Sequence, residues 1–347
     1  MRERIASLPV RGHGPRGNPA ARLVCAALLA LAGAGPGRAA APRDAQTILS
    51  AVVGVRAEVP PAARTAPALG TRRSGTGVVI DGHGLIVTTG YLILEADRVY
   101  VASVPGHTPE VPAEVLAYDH DSGFGLLRAR ETLPVSPMPL GDSDAPARGA
   151  ALIAASHGGA AGVQPAVLLD RREFAGYWEY LLEDALFTAP PHPLFGGAAL
   201  IDPDGALLGI GSLIVADAGR DGTPVPGNMF IPINRLKSIL GALLATGRGP
   251  GPARPWLGIH SEDHDGRVVI RRVTDEGPAA RAGVQAGTAI VAVAGIAVHD
   301  MADFYRKLWV AAAPGDAVTL SLLGLDGSRR EVSVTAGDRH HWLNLRR

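Results

Sequence analysis

The 347-residue chain has one cysteine, Cys25, and few aromatics, 5% of its residues. A single thiol excludes an intramolecular disulfide. Cys25 lies inside an apolar run, 23–31, so a chain cut beyond that run would also lack any thiol nucleophile. A lipidated cysteine follows such a run rather than lying within it, which speaks against a lipid anchor. The run is too short to span a bilayer comfortably. There is no internal repeat and no sustained heptad pattern. Glycine-rich stretches such as 158–162 lack a following lysine or a βαβ context, which excludes phosphate-loop and dinucleotide sites. The histidine clusters His340-His341 and His260/His264 with Asp263 and Asp265 lack the spacing of a structural zinc site. The sequence therefore implies no metal and no cofactor.

What is present is a globular composition, 47% hydrophobic and 19% charged, with 44 glycines and 28 prolines. The length accommodates two domains with real cores. The overall net charge of +0 hides an asymmetry, because residues 1–40 carry six arginines against one glutamate. Without them the chain holds 27 basic and 32 acidic residues, a net of −5, which argues against a nucleic-acid partner. Basic residues, an apolar run, small residues and then Arg38-Ala39-Ala40-Ala41 read as an export signal over 1–40. An uncleaved anchor is the alternative; with the signal cut, no stable membrane span is expected.

Short apolar segments at 51–59, 76–80, 85–88, 99–104, 113–117 and 150–154 read as strands, separated by turn clusters such as Asp81-Gly82-His83-Gly84 and Asp202-Pro203-Asp204-Gly205. That spacing suggests a barrel or sandwich over 41–246. A helix over 234–246 follows Pro232 and stops at Gly247, with Leu236, Ile239, Leu240, Leu243 and Leu244 on one face. Residues 247–255 read as a Gly/Pro linker. A second unit, 256–336, combines strands at 268–273, 289–293, 318–323 and 330–335 with helices at 278–282 and 301–312. A tail, 337–347, follows.

Four segments, in order, resemble the HtrA family, exported chymotrypsin-like serine proteases carrying PDZ domains: Gly75-Thr76-Gly77-Val78-Val79-Ile80, Leu140-Gly141-Asp142-Ser143-Asp144, Ile231-Pro232-Ile233-Asn234, and Arg254-Pro255-Trp256-Leu257-Gly258-Ile259. The resemblance covers about residues 50–336. It implies a mostly β fold, a chymotrypsin-like double β-barrel followed by a small α+β PDZ domain. The segment from Glu276 to Val284 with Gly287 resembles a PDZ turn, with Thr288 standing where aspartate is usual.

By this resemblance the catalytic base falls at Tyr91, in Thr88-Thr89-Gly90-Tyr91-Leu92-Ile93. The aspartate falls at Gly123, and the nucleophile at Gly196, in His192-Pro193-Leu194-Phe195-Gly196-Gly197. None of the three offers the imidazole, carboxylate or hydroxyl that acyl transfer requires. A phenol is a poor base at neutral pH. Leu194 replaces an oxyanion-loop glycine, so that loop is in doubt as well. The implied protein is a protease homologue without an intact triad, binding extended peptides or protein C-termini in envelope quality control or as a scaffold or regulator. Trp256, Leu257, Gly258 and Ile259 would capture a terminal carboxylate, with Phe304, Leu308 and Trp309 on the opposite wall. The alternative is a hydrolase with relocated chemistry drawn from His192, His120, Asp119, Asp121, Ser122, Thr88 and Thr89. His192 is its sharpest candidate, and a loop histidine the simpler reading. Family members form trimers through N-terminal residues of the protease domain, but the region 41–50 here lacks aromatics. The periplasm is the implied location.

Overall fold

The computed structural model describes residues 44–103, 109–219, 224–343 and 345. The export signal, Cys25 and residues 41–43 lie outside the described residues. Helix α1 (Ala45–Ser50) leads into β1 (Val52–Glu58), and a short helix, α2 (Ala66–Leu69), precedes β2 (Arg72–Val79). β3 (Leu85–Thr89), β4 (Arg98–Ala102), β5 (Val111–Tyr118) and β6 (Phe124–Ala129) follow. These six strands close into a barrel in the order β1-β2-β3-β6-β5-β4, sealed by β1 against β4.

β7 (Ala151–Ala155), β8 (Val163–Gly176), β9 (Tyr180–Ala189), β10 (Ala199–Ile201), β11 (Leu207–Val215) and β12 (Gly227–Pro232) close a second barrel in the order β10-β11-β12-β9-β8-β7. β3 and β12 are buried along their whole length. Helix α3 (Ile233–Thr246) buries Ile233, Leu236 and Leu243, and ends on Gly247 at φ 73, a left-handed cap suited to glycine.

The C-terminal domain has β13 (Pro255–Trp256), β14 (Ile259–His264), β15 (Arg267–Val273), helix α4 (Pro278–Arg281), β16 (Ala289–Val293), β17 (Ile296–Ala297), helix α5 (Met301–Ala311), β18 (Ala317–Leu323) and β19 (Arg329–Thr335). Its sheet runs β14-β15-β16-β18-β19, so β14 is an edge strand. Residues 337–342 continue in regular structure. β20 (Gly337–Asp338) pairs with β13, and helix α6 (Arg339–Trp342) brings Trp342 to 5.2 Å from Trp256. The Gly/Pro segment before β13 is also tied down: Arg248 donates to Asp338 at 3.1 Å and Arg254 pairs with Asp121 at 3.2 Å. Among the described residues no helix is long and apolar enough to cross a membrane.

Two of the recognised sequence segments meet in one contact. The Asn234 backbone N–H, in the first turn of α3, donates to Ser143 Oγ at 3.1 Å, and Asn234 Nδ2 donates to Asp142 and Asp144 at 2.7 and 3.0 Å. A helix N-terminus leaves orphan N–H groups, and α3 has no side-chain cap of its own. Ser143, fully buried, supplies that cap from 91 residues away. Ser143→Ala is expected to destabilise the protein by about 1–2 kcal/mol, the loss of a cap, read as a lower urea midpoint with an unchanged slope.

Candidate functional site

The barrels meet where the 90–92 turn of the first approaches the 192–198 loop of the second. Arg73 fixes the turn. Its guanidinium, 5% exposed, donates to Tyr91 O, Leu94 O and Gly70 O at 2.9, 2.8 and 3.2 Å, and to Thr65 Oγ1 at 2.8 Å. Burial pulls its pKa down, but a guanidinium remains charged. With its backbone so held, Tyr91 sends its phenol to Ser212 O, donating at 3.0 Å. Burial raises that phenol's pKa further from neutrality.

A Cβ placed on Gly196 would lie 2.9 Å from Tyr91 Oη, so the phenol fills the space that a side chain at 196 would need. Gly123 is adjoining: its carbonyl accepts from Gly90 N at 2.8 Å. Gly123 lies at φ +85, and a Cβ there would meet Ile231 Cδ1 at 3.2 Å and Tyr180 Oη at 3.3 Å. Gly196 thus lies against the Tyr91 phenol, and Gly123 against Gly90, the residue before Tyr91.

The 192–198 loop turns its donors inward. Leu194 N donates to His192 Nδ1 at 3.1 Å, Gly197 N to Gly211 O at 2.8 Å and Ala198 N to Phe195 O at 2.9 Å. Since His192 Nδ1 accepts, its ring proton resides on Nε2, which faces Gly162 O at 2.9 Å. Both nitrogens of this buried ring are committed to backbone, leaving no lone pair to take a substrate proton.

The other relocated-chemistry candidates do not assemble either. Asp119 accepts from Ser122 N and Oγ at 2.9 and 2.5 Å, closing a turn. Thr88 Oγ1 donates to Thr76 O at 2.6 Å, and Thr88 and Thr89 are buried. One hydroxyl–imidazole pair escaped the sequence reading: Thr76 Oγ1 and His157 Nδ1 are 3.0 Å apart. No spacing rule links residues 81 apart. Thr76 is fully buried, however, and its oxygen also accepts from His157 N at 3.1 Å, so no substrate reaches it.

His120 is half-buried, and its two ring nitrogens are shielded from solvent without a hydrogen-bond partner. It packs edge-on against Tyr118 at 4.3 Å and borders a cavity of about 120 Å³ with Arg248, Arg339 and His340. Burial, reinforced by those cations, holds its pKa well below 6.5.

In the C-terminal domain, Gly258 takes φ 78, where a Cβ would press on Trp256 and Thr274. The Leu257 and Ile259 N–H groups donate to the Glu179 carboxylate at 2.9 and 2.8 Å. Burial raises the Glu179 pKa, while Arg339 and the 257–259 N–H groups pull it the other way. Trp256 pairs with Gly337 in the small β13–β20 ladder. Phe304 and Leu308 are fully buried in the domain core. Trp309 stacks on Tyr305 at 5.8 Å and underlies the Arg254 guanidinium at 3.9 Å. His260 lies beside Arg272 and Tyr177, and burial brings its pKa down to about 4.

Comparison with known proteins defines the class. The trypsin-like peptidase domain family matches residues 75–210 and the PDZ domain family matches residues 255–335. A probable periplasmic serine endoprotease, DegP-like, of Halomonas elongata is 28% identical over 289 residues, covering 77% of this chain and 57% of that protein. The serine protease Do-like HtrA of Lactobacillus helveticus is 28% identical over 283 residues, covering 73% and 66%. The chain carries a trypsin-like peptidase domain and a PDZ domain, has HtrA-type proteases among its homologues, and spans 57–66% of the length of these curated relatives. Among solved structures, the HtrA-type protease AlgW with a tripeptide aligns over 85% of this chain and 97% of that one, at 20% identity and a TM-score of 0.49.

Two outcomes follow from the geometry. Gly196→Ser alone is expected to cost about 1–3 kcal/mol by overpacking against the phenol. Shortening the neighbour with Tyr91→His should recover part of that, giving a coupling above about 0.5 kcal/mol in a double-mutant cycle. Separately, a histidine whose folded pKa is depressed contributes stability that is intact above its unfolded pKa and is lost as pH falls. Denaturation midpoints should therefore drop between pH 7 and pH 5, by about 1.4 kcal/mol per pH unit for one proton. His120→Leu should remove one proton's share of that slope, while His260, lowered to about 4, keeps its own. Asp121, raised to about 6 by burial, works in the opposite direction in both proteins.

Proposed function

We propose that this chain is a non-catalytic HtrA-like protein that binds extended peptides or protein C-termini through its PDZ domain. Its role would be in envelope protein quality control, or as a scaffold or regulator. On this reading Tyr91, Gly123 and Gly196 hold the base, carboxylate and nucleophile positions of the trypsin-like domain. The observation that carries it is the Tyr91 phenol, hydrogen-bonded to Ser212 O and packed against Gly196 where a nucleophile's side chain would need to be. The inward Leu194 N–H supports it, since that donor is spent on His192 rather than aimed at an oxyanion.

Export to the periplasm is part of the proposal, supported by the composition of residues 1–40 and by the periplasmic relative. The PDZ domain supports peptide binding by strand addition. A trimer gains no support from 44–50, because Ile48 and Leu49 pack into the chain's own core.

Purified protein is expected neither to react with a fluorophosphonate probe nor to degrade unfolded casein, with an active HtrA protease as positive control. Stoichiometric labelling together with casein cleavage would sink the non-catalytic reading and revive relocated chemistry.

A further inference from the structure

The turn that joins β8 to β9 is three residues long, 177–179, between the paired Gly176 and Tyr180. Its last residue, Glu179, takes φ 57. Three-residue hairpin loops use a left-handed residue at this place, and glycine fills it without steric penalty. A glutamate there, 6% exposed, needs a compensating contact.

The contact is the carboxylate loop of the C-terminal domain. Oε2 of Glu179 accepts from Leu257 N at 2.9 Å and Oε1 from Ile259 N at 2.8 Å, with Gly258 N also directed at the carboxylate. Around this pair the hairpin tip follows the pattern of a bound chain. Ser261 N, on edge strand β14, donates to Tyr177 O at 3.0 Å. Leu181, 5% exposed, enters the apolar cluster of Leu257, Ile259, Phe304 and Leu308. From helix α5, Tyr305 Oη donates to Gly176 O at 2.7 Å and accepts from Glu179 N at 3.3 Å. Arg306 pairs with Glu173, and Arg339 donates to Trp178 O. A carboxylate on the loop, backbone on the sheet edge and a leucine in the apolar pocket are the three marks of strand-addition recognition.

We propose that the PDZ groove is occupied in cis, with the β8–β9 hairpin tip as an internal ligand and the Glu179 side chain in place of a C-terminal carboxylate. A protein C-terminus then binds only by displacing the hairpin tip. The identity of that competing ligand rests on the peptide-binding reading above; the cis occupancy does not.

Amide hydrogen exchange on the full chain tests the occupancy without any ligand. Glu179→Gly keeps the left-handed turn and removes the carboxylate; Glu179→Gln keeps the side-chain length. Exchange at the Leu257 and Ile259 amides is expected to accelerate at least 10-fold in Glu179→Gly and by less in Glu179→Gln. Exchange in β16 and β18 should stay unchanged, which reports an intact domain. Equal protection in wild type and both variants overturns the proposal. A fluorescein-labelled hexapeptide ending in a free Tyr-Leu carboxylate, with its C-terminal amide as control, then reads the closure. Binding of the acid at least 10-fold tighter to Glu179→Gly than to wild type is expected, whereas equal tight binding to both overturns the exclusion. Faster amide exchange with no peptide bound by either protein leaves the cis occupancy standing and removes the peptide-binding reading instead.

Discussion

Strand β9 belongs to two hydrophobic cores at once. Successive side chains of a strand point to opposite faces. Tyr180 and Leu182 face into the barrels, while Leu181 between them enters the core of the C-terminal domain. All three are buried, so neither face is free to slip by a residue without exposing a leucine or burying the wrong group. This shared wall registers the two domains. The Gly/Pro segment and the C-terminal helix then brace the junction through Arg248 and Asp338, Arg254 and Asp121, and Arg339 and Trp178. These ion pairs and polar contacts are modest singly; the apolar wall gives them a fixed geometry in which to form.

The space between the barrels is shaped by what stands at positions 91, 123 and 196. On the proposed assignment, Tyr91 needs a partner for its hydroxyl and finds Ser212 O, while its ring end requires that residue 196 have no side chain. Gly123 at φ +85 occupies a backbone region that an aspartate would enter only with strain, against Ile231 and Tyr180. Arg73 anchors the turn that carries Tyr91 through two carbonyls of that turn. On that assignment, a side chain restored at 196 would meet Tyr91, and one restored at 123 would meet Ile231 and Tyr180.

Much of the architecture was legible because it rests on local pattern. The apolar segment 85–88 gave β3, and Pro232 and Gly247 bracketed α3. The segments around Ser143 and Asn234 stood out separately as family marks, though nothing in their spacing said that they touch. What stayed hidden were contacts between residues distant in the chain. His157 approaches Thr76 across 81 positions, and Glu179 reaches Leu257 across 78. Residues 247–255 read as a Gly/Pro linker; that Arg248 and Arg254 each pair with a carboxylate elsewhere in the chain was not legible. Phe304 and Leu308 fell on the expected helix, but helical periodicity does not say what covers that face, and Leu181 of the distant hairpin shares their apolar cluster. The one sequence signal for the hairpin contact was Tyr177-Trp178-Glu179-Tyr180, an aromatic cluster around an acid at a turn where glycine or asparagine is the ordinary choice.

A side-chain carboxylate and a chain terminus present the same two oxygens to the 257–259 N–H groups, so that loop has little means to tell them apart. The distinction lies in tethering. Glu179 is delivered by a hairpin already built into the second barrel, which acts as an effective concentration on the order of mM or higher for a short connection. A free C-terminus of μM affinity at μM concentration competes poorly against that. One presented at high local density, as on an aggregating or multivalent client, competes far better. Strain at φ 57 works against the tether, because the left-handed turn disfavours a residue with a side chain and lowers the advantage of the internal ligand. A glycine at 179 would relieve the strain but lose the carboxylate. The glutamate gives a groove whose occupant is held and yet displaceable, and that balance makes ligand density rather than ligand presence the quantity to which the groove responds.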